Sequence, residues 1–172
     1  MNRFVSQKVY VAILLLALVF FLHAGVLKAQ EAPRLDLKTT AEKEVKVKKD
    51  GKWMVERVPV EKTGPGDILV FTINYLNRGK TDAVDAAIVN PIPQGVVYVL
   101  ESAGGKDAEV MCSVDNAVSW HKPPVMIRVK NAEGKEEVKP APAESYTHVR
   151  WTIKKTVPPG QSGRVSFKVS VR

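Results

Sequence analysis

From Val165 onward, apolar side chains occupy every second position: Val165, Phe167, Val169 and Val171 alternate with Ser166, Lys168, Ser170 and Arg172. Successive side chains of an extended strand point to opposite faces, so the pattern predicts a strand with one face buried and one in water. Leu69, Phe71, Ile73 and Tyr75 form a second such face. Val149, Trp151 and Ile153 form a third, and Val110, Cys112 and Val114 a fourth. Ala86 with Ile88, and Val96 with Tyr98, predict two more short strands. Past Gln30 no segment carries a sustained apolar repeat at helical spacing.

Turn residues punctuate these runs. Gly64-Pro65-Gly66-Asp67 precedes one strand and Asn77-Arg78-Gly79-Lys80 follows it. Asn77 is expected to bond its own turn, with Gly79 at a positive φ. In Asn90-Pro91-Ile92-Pro93-Gln94-Gly95 the prolines fix φ and stiffen a crossover. Pro158-Pro159-Gly160 turns the chain into the last strand. Asp50-Gly51, between Glu44–Lys48 and Lys52–Arg57, signals a hairpin. A two-residue loop sets Val47 against Met54 and Val45 against Glu56. A three-residue loop, Lys49-Asp50-Gly51, sets Val47 against Trp53 and Val45 against Val55, and aromatic–β-branched pairing favours it. Val125–Lys130 and Glu137–Pro140 read as a second hairpin turning through Asn131–Gly134, or else residues 130–145 read as a low-complexity linker. The whole predicts an all-β, antiparallel sandwich of about seven to nine strands.

The front of the chain differs. Arg3 and Lys8 precede an uncharged apolar run, Val9 to Leu22, and Leu27 and Ala29 sit at the −3 and −1 positions of a cut before Gln30. This is the layout of a helical secretory signal peptide, residues 1–29. The alternative is a retained anchor, although the run is short of the roughly 20 residues that span a bilayer. Cleavage would deliver the protein to the periplasm, the outer envelope or the extracellular medium. It leaves 30–63 as N-terminal strands and a hairpin joined to a sandwich at 64–172, with an insertion at about 121–146.

Composition adds exclusions. With 45% apolar and 26% charged residues, the chain has ordinary globular make-up. Its one cysteine excludes an internal disulfide framework. Without residues 1–29 there are 23 basic against 18 acidic residues, a net charge of +5. The dense basic cluster is Lys46, Lys48, Lys49 and Lys52, and with mainly Trp53 beside it no nucleic-acid face is expected.

The order Gly66-Asp67, alternating residues through Phe71 and Ile73, Asn77-Arg78-Gly79, Ala83, Asn90-Pro91-Ile92-Pro93-Gln94-Gly95 and Tyr98, closing with Trp151, Pro159-Gly160 and Phe167, resembles the conserved-repeat family of domain of unknown function 11. The resemblance covers about residues 64–171. It implies an Ig-like sandwich module of exported bacterial or archaeal surface proteins, with no assigned catalysis. In that family's pattern Asn77, Gly79, Asn90, Pro91, Pro93, Gly95, Trp151, Pro159 and Gly160 define the fold.

Candidate chemistry is sparse. Cys112, His121 and Met126 run in the order of a blue-copper set, but no histidine lies at residues 30–111 to open it. Cys112 between Val110 and Val114 reads as a buried thiol. No G-x-S-x-G elbow or phosphate loop occurs. No catalytic, metal-ligating or cofactor-holding set is therefore expected. Asp115, Asn116, Trp120 and His121 remain as weak binding candidates on a loop. The function expected is a non-catalytic envelope component acting in structure, adhesion or protein interaction. The alternative is a periplasmic ligand- or metal-binding protein using Cys112, His121 and His148. Oligomers could form through an edge strand or through Cys112.

Overall fold

The computed structural model describes residues 33–172, and the signal peptide expected at 1–29 lies outside the described residues. Eleven strands follow in order: β1 (Leu35–Lys49), β2 (Lys52–Pro59), β3 (Ile68–Asn77), β4 (Ala86–Pro91), β5 (Val96–Tyr98), β6 (Gly104–Gly105), β7 (Ala108–Ser113), β8 (Met126–Lys130), β9 (Glu136–Pro140), β10 (His148–Ile153) and β11 (Ser162–Val171). Among the described residues no helix is long and apolar enough to cross a membrane.

Two antiparallel sheets form the sandwich. A six-stranded sheet runs β2-β1-β3-β11-β5, with β6 also on β11, and a three-stranded sheet runs β4-β10-β7. The alternating residues face inward as their periodicity requires: in β11, Val165, Phe167 and Val169 are buried between half-buried Ser166, Lys168 and Ser170. Phe71 and Phe167 are direct cross-strand neighbours, stacked at 5.2 Å between centroids. Trp151 of β10 meets Phe167 from the other sheet at 5.9 Å. Around them pack Ile73, Tyr98, Val149, Ile153 and Val165. A side chain fully buried there contributes roughly 1.5–3 kcal/mol.

The opposite face of the larger sheet is polar, yet Val70 is buried on it, flanked across the strands by Glu42 and Lys168. Lys168 Nζ reaches over β3 to Glu44 Oε1 at 2.8 Å, and Arg57 Nε approaches the same oxygen at 3.8 Å. The aliphatic stem of a lysine held this way covers apolar surface while its head stays wet.

β1 is one continuous strand with two partners. Leu35–Glu44 pairs with β3 and Glu42–Lys49 pairs with β2, so Val45 to Glu56 project beyond β3 as a two-stranded arm. The arm corrects the expected three-residue loop. Lys49 pairs with Lys52, Val47 with Met54 and Val45 with Glu56, around a two-residue turn with Asp50 at φ 50° and Gly51 at φ 79°. Positive φ at both positions is the turn geometry that matches strand twist. Side-chain pairing would win only on a buried face, and here Trp53 is 70% and Val55 58% exposed.

Asn77 bonds its own turn as expected, Oδ1 accepting from the Gly79 N–H at 2.9 Å. Gly79, however, is not at positive φ. A Cβ there would sit 2.7 Å from Arg34 N and 3.2 Å from Pro33 Cα, so close approach of the backbone is what requires glycine. Gly95 and Gly160 are left-handed, at φ 81° and 78°. Asn90 Nδ2 donates to the Pro91 carbonyl at 2.7 Å where β4 ends, and Pro93 follows in the link to β5. Past Pro159, the Gly160 N–H donates to the Asn77 carbonyl at 2.8 Å.

Residues 126–140 are a hairpin, β8 paired with β9. Asn131 Oδ1 closes its turn by accepting from the N–H groups of Glu133 and Lys135, at 3.1 and 2.9 Å.

Candidate binding loop after β7

β7 ends at Ser113, and the chain returns to it eight residues later. Cys112 and His121 exchange two backbone bonds, at 2.8 and 2.9 Å, which close residues 113–120 into a loop. Short polar side chains bond their own backbone, and this loop is built from them. The buried Ser113 hydroxyl donates to Asp115 Oδ1 at 2.7 Å and accepts from the N–H groups of Asp115 and Ala117. Asp115 also accepts from the Ser119 N–H at 2.9 Å and the Ser119 hydroxyl at 2.5 Å.

These bonds hold two consecutive left-handed residues, Asn116 at φ 57° and Ala117 at φ 66°. For alanine that conformation costs about 1–2 kcal/mol, which the surrounding bonds offset. The Asn116 N–H is tied to Thr147 Oγ1 at 3.1 Å. At the tip, Val118 is 83% exposed.

The electrostatics follow from this bonding. The Ser119 hydroxyl first, then Ser113 and the Ser119 N–H, hold the Asp115 carboxyl well below the usual carboxylate range. With the Ser119 hydroxyl donating to Asp115, the 3.0 Å contact to His121 Nε2 places the ring as donor. A serine nucleophile needs the reverse, an imidazole accepting its proton.

Trp120 lies over the Arg150 guanidinium, 4.6 Å from the ring centroid, and meets His148 edge-on at 6.4 Å. It clamps the loop to β10 through its face, since a ring quadrupole attracts a cation there. His148 Nδ1 in turn contacts Thr147 Oγ1 at 3.1 Å. Cys112 is fully enclosed, and burial pushes its thiol up to about 11 against a lowering bond from Tyr98. An interchain disulfide would require β7 to open. Met126 stands exposed at the start of β8.

The loop thus unites Asp115, Asn116, Trp120 and His121 in one structure. The side chains of Cys112, His121 and His148 have separate partners, and among the described residues no three His, Cys, Asp or Glu side chains converge as a metal site would require. Ser113, Ser119, Thr147 and Arg150 were not singled out as functional by sequence reasoning. The spacing of Ser113, Asp115 and Ser119 carried a signal for the two serines, whereas Thr147 and Arg150 come from just before β10 and from β10 itself, distant in sequence.

A separate open groove of about 1010 Å³ runs over the polar face of the larger sheet, past Thr40, Glu42, Thr72, Asn74, Arg164 and Ser166. Comparison with protein-family models, with curated proteins and with solved structures gives no match.

Proposed function

We propose that this chain is an exported, non-catalytic Ig-like module that acts through surface contacts, as a structural or adhesion component of the cell envelope. The observation that carries this reading is the fate of the reactive groups around the 113–120 loop. Ser113, Asp115, Ser119 and His121 are spent on one another and on the backbone, and Cys112 is enclosed. What the loop offers outward is Val118 on a stiffened support. A preorganised loop loses little conformational entropy on binding, which suits recognition of a partner surface. The leader pattern of residues 1–29 supports export, and the motif order from Gly66 to Phe167 supports kinship with the family of domain of unknown function 11.

The test is fractionation of producing cells combined with a photo-crosslinking residue at position 118. The expected result is a chain lacking residues 1–29 in the envelope or medium, with an adduct that a crosslinker at Val84, on another exposed stretch, does not form. A full-length chain retained in the cytoplasm would defeat the export half. Equal adducts from both positions would defeat the loop.

A further inference from the structure

The hairpin arm carries a surface unrelated to the 113–120 loop. Its register places Trp53 opposite Lys48 and Val55 opposite Lys46. Cross-strand partners share a face, so one side of the arm is an alternation of exposed apolar and basic groups. Acids are absent from that face until Glu44, which is held by Lys168 and Arg57. Among the described residues neither Lys46 nor Lys48 has a carboxylate within ion-pair distance. On the other face Lys49 pairs with Glu56 and Met54 is exposed.

We propose that the Trp53, Val55, Lys46 and Lys48 face of the arm docks on the headgroup region of an anionic lipid bilayer. Tryptophan settles where an apolar ring meets a wet boundary. Lysines beside it add attraction to anionic headgroups while their stems lie along the apolar surface. Depth is limited by the backbone. β2 is the edge of its sheet, so its outward N–H and C=O groups must stay hydrated, and the arm sits at the interface without entering hydrocarbon. A second copy of the arm fits worse, because residues 45–56 carry four lysines against two acids and two such arms repel. Charge complementarity selects the anionic surface. The inference stands whether or not the chain is exported.

The compact unit Ala32–Arg172 contains the whole described core and excludes the apolar run at Val9–Leu22, which would bind vesicles by itself. Mixed with vesicles of equal parts phosphatidylcholine and phosphatidylglycerol at low salt, it should co-sediment. The difference in emission between the parent and Trp53→Phe should shift to the blue. Trp53→Ala should weaken partitioning on the order of tenfold. Lys46→Ala with Lys48→Ala should weaken it roughly 25-fold. Both changes fall on exposed side chains, and an unaltered melting temperature verifies the fold. Equal binding to pure phosphatidylcholine, no binding at low salt, or variants that bind like the parent would overturn the proposal. So would a blue shift that accompanies self-association without vesicles.

Discussion

Asn77 Nδ2 donates a 2.7 Å hydrogen bond to the carbonyl of Val157, eighty positions further along the chain. The same nitrogen donates to the Thr81 carbonyl at 2.8 Å, so one buried amide fastens the turn after β3 to the approach to β11. Asn77→Ala would remove both of these bonds and the acceptor of the Gly79 N–H. We expect a loss of about 2–4 kcal/mol, read as a lower denaturant midpoint at unchanged slope.

Gly79 and Gly95 are glycines for different reasons, and substitution separates them. Gly95 is left-handed with open space around it, so Gly95→Asn should be tolerated and Gly95→Ala should cost about 1 kcal/mol. Gly79→Ala and Gly79→Asn should both cost about 1–3 kcal/mol, because either Cβ meets backbone. Equal sensitivity to asparagine at the two sites, by chemical denaturation, would refute the distinction.

Trp151 is fully buried, and among the described residues its Nε1 has no hydrogen-bond partner. Trp151→Phe removes that unsatisfied donor along with some volume, so it should cost only about 1–2 kcal/mol. Trp151→Ala should cost about 3–5 kcal/mol. A phenylalanine variant as unstable as the alanine one would mean that the indole N–H is bonded after all.

Glu109 lies 2.8 Å from Lys154 and 3.0 Å from Lys122. Lys154 first and Lys122 second hold its carboxyl down at about 2, from an ordinary 4.5. The folded carboxyl therefore binds fewer protons than the unfolded one. Its stabilisation is complete above about pH 4.5 and fades as pH falls toward 2. Asp67 and Asp115, also lowered, act in the same direction. Melting temperature should thus fall across that window, and Glu109→Gln should flatten the fall while converging with the parent at its acid end. Both lysines are exposed to solvent and Glu109 is partly so, and added salt should therefore shrink the difference.

Legibility in the sequence followed burial. The inward rows of β3, β10 and β11 were plain because each packs chiefly on one side, Val70 apart, and alternation is what one-sided packing imposes. The first part of β1 was obscure: Thr39, Ala41 and Lys43 occupy its inward positions, facing Ile73, Phe71 and Leu69 on β3. The arm misled because its apolar residues have no core to choose their register, leaving the Asp50-Gly51 turn to decide. After β7, the placement of Asp115 and Asn116 on a loop was readable. The clamp of Trp120 on Arg150 was not, since it joins elements thirty positions apart that only the three-stranded sheet brings together.

The position of β11 has a temporal consequence. It is the last strand in chain order, yet it runs between β3 on one side and β5 and β6 on the other. A growing chain that has reached only Gln161 lacks Phe167, the ring that Phe71 and Trp151 share. Neither layer can then lock onto the other, and the partners that would pin them are distant in sequence, the arrangement that folds slowly. Closure of the two layers thus awaits residues 162–171, and a chain cut short before them should stay sensitive to proteolysis.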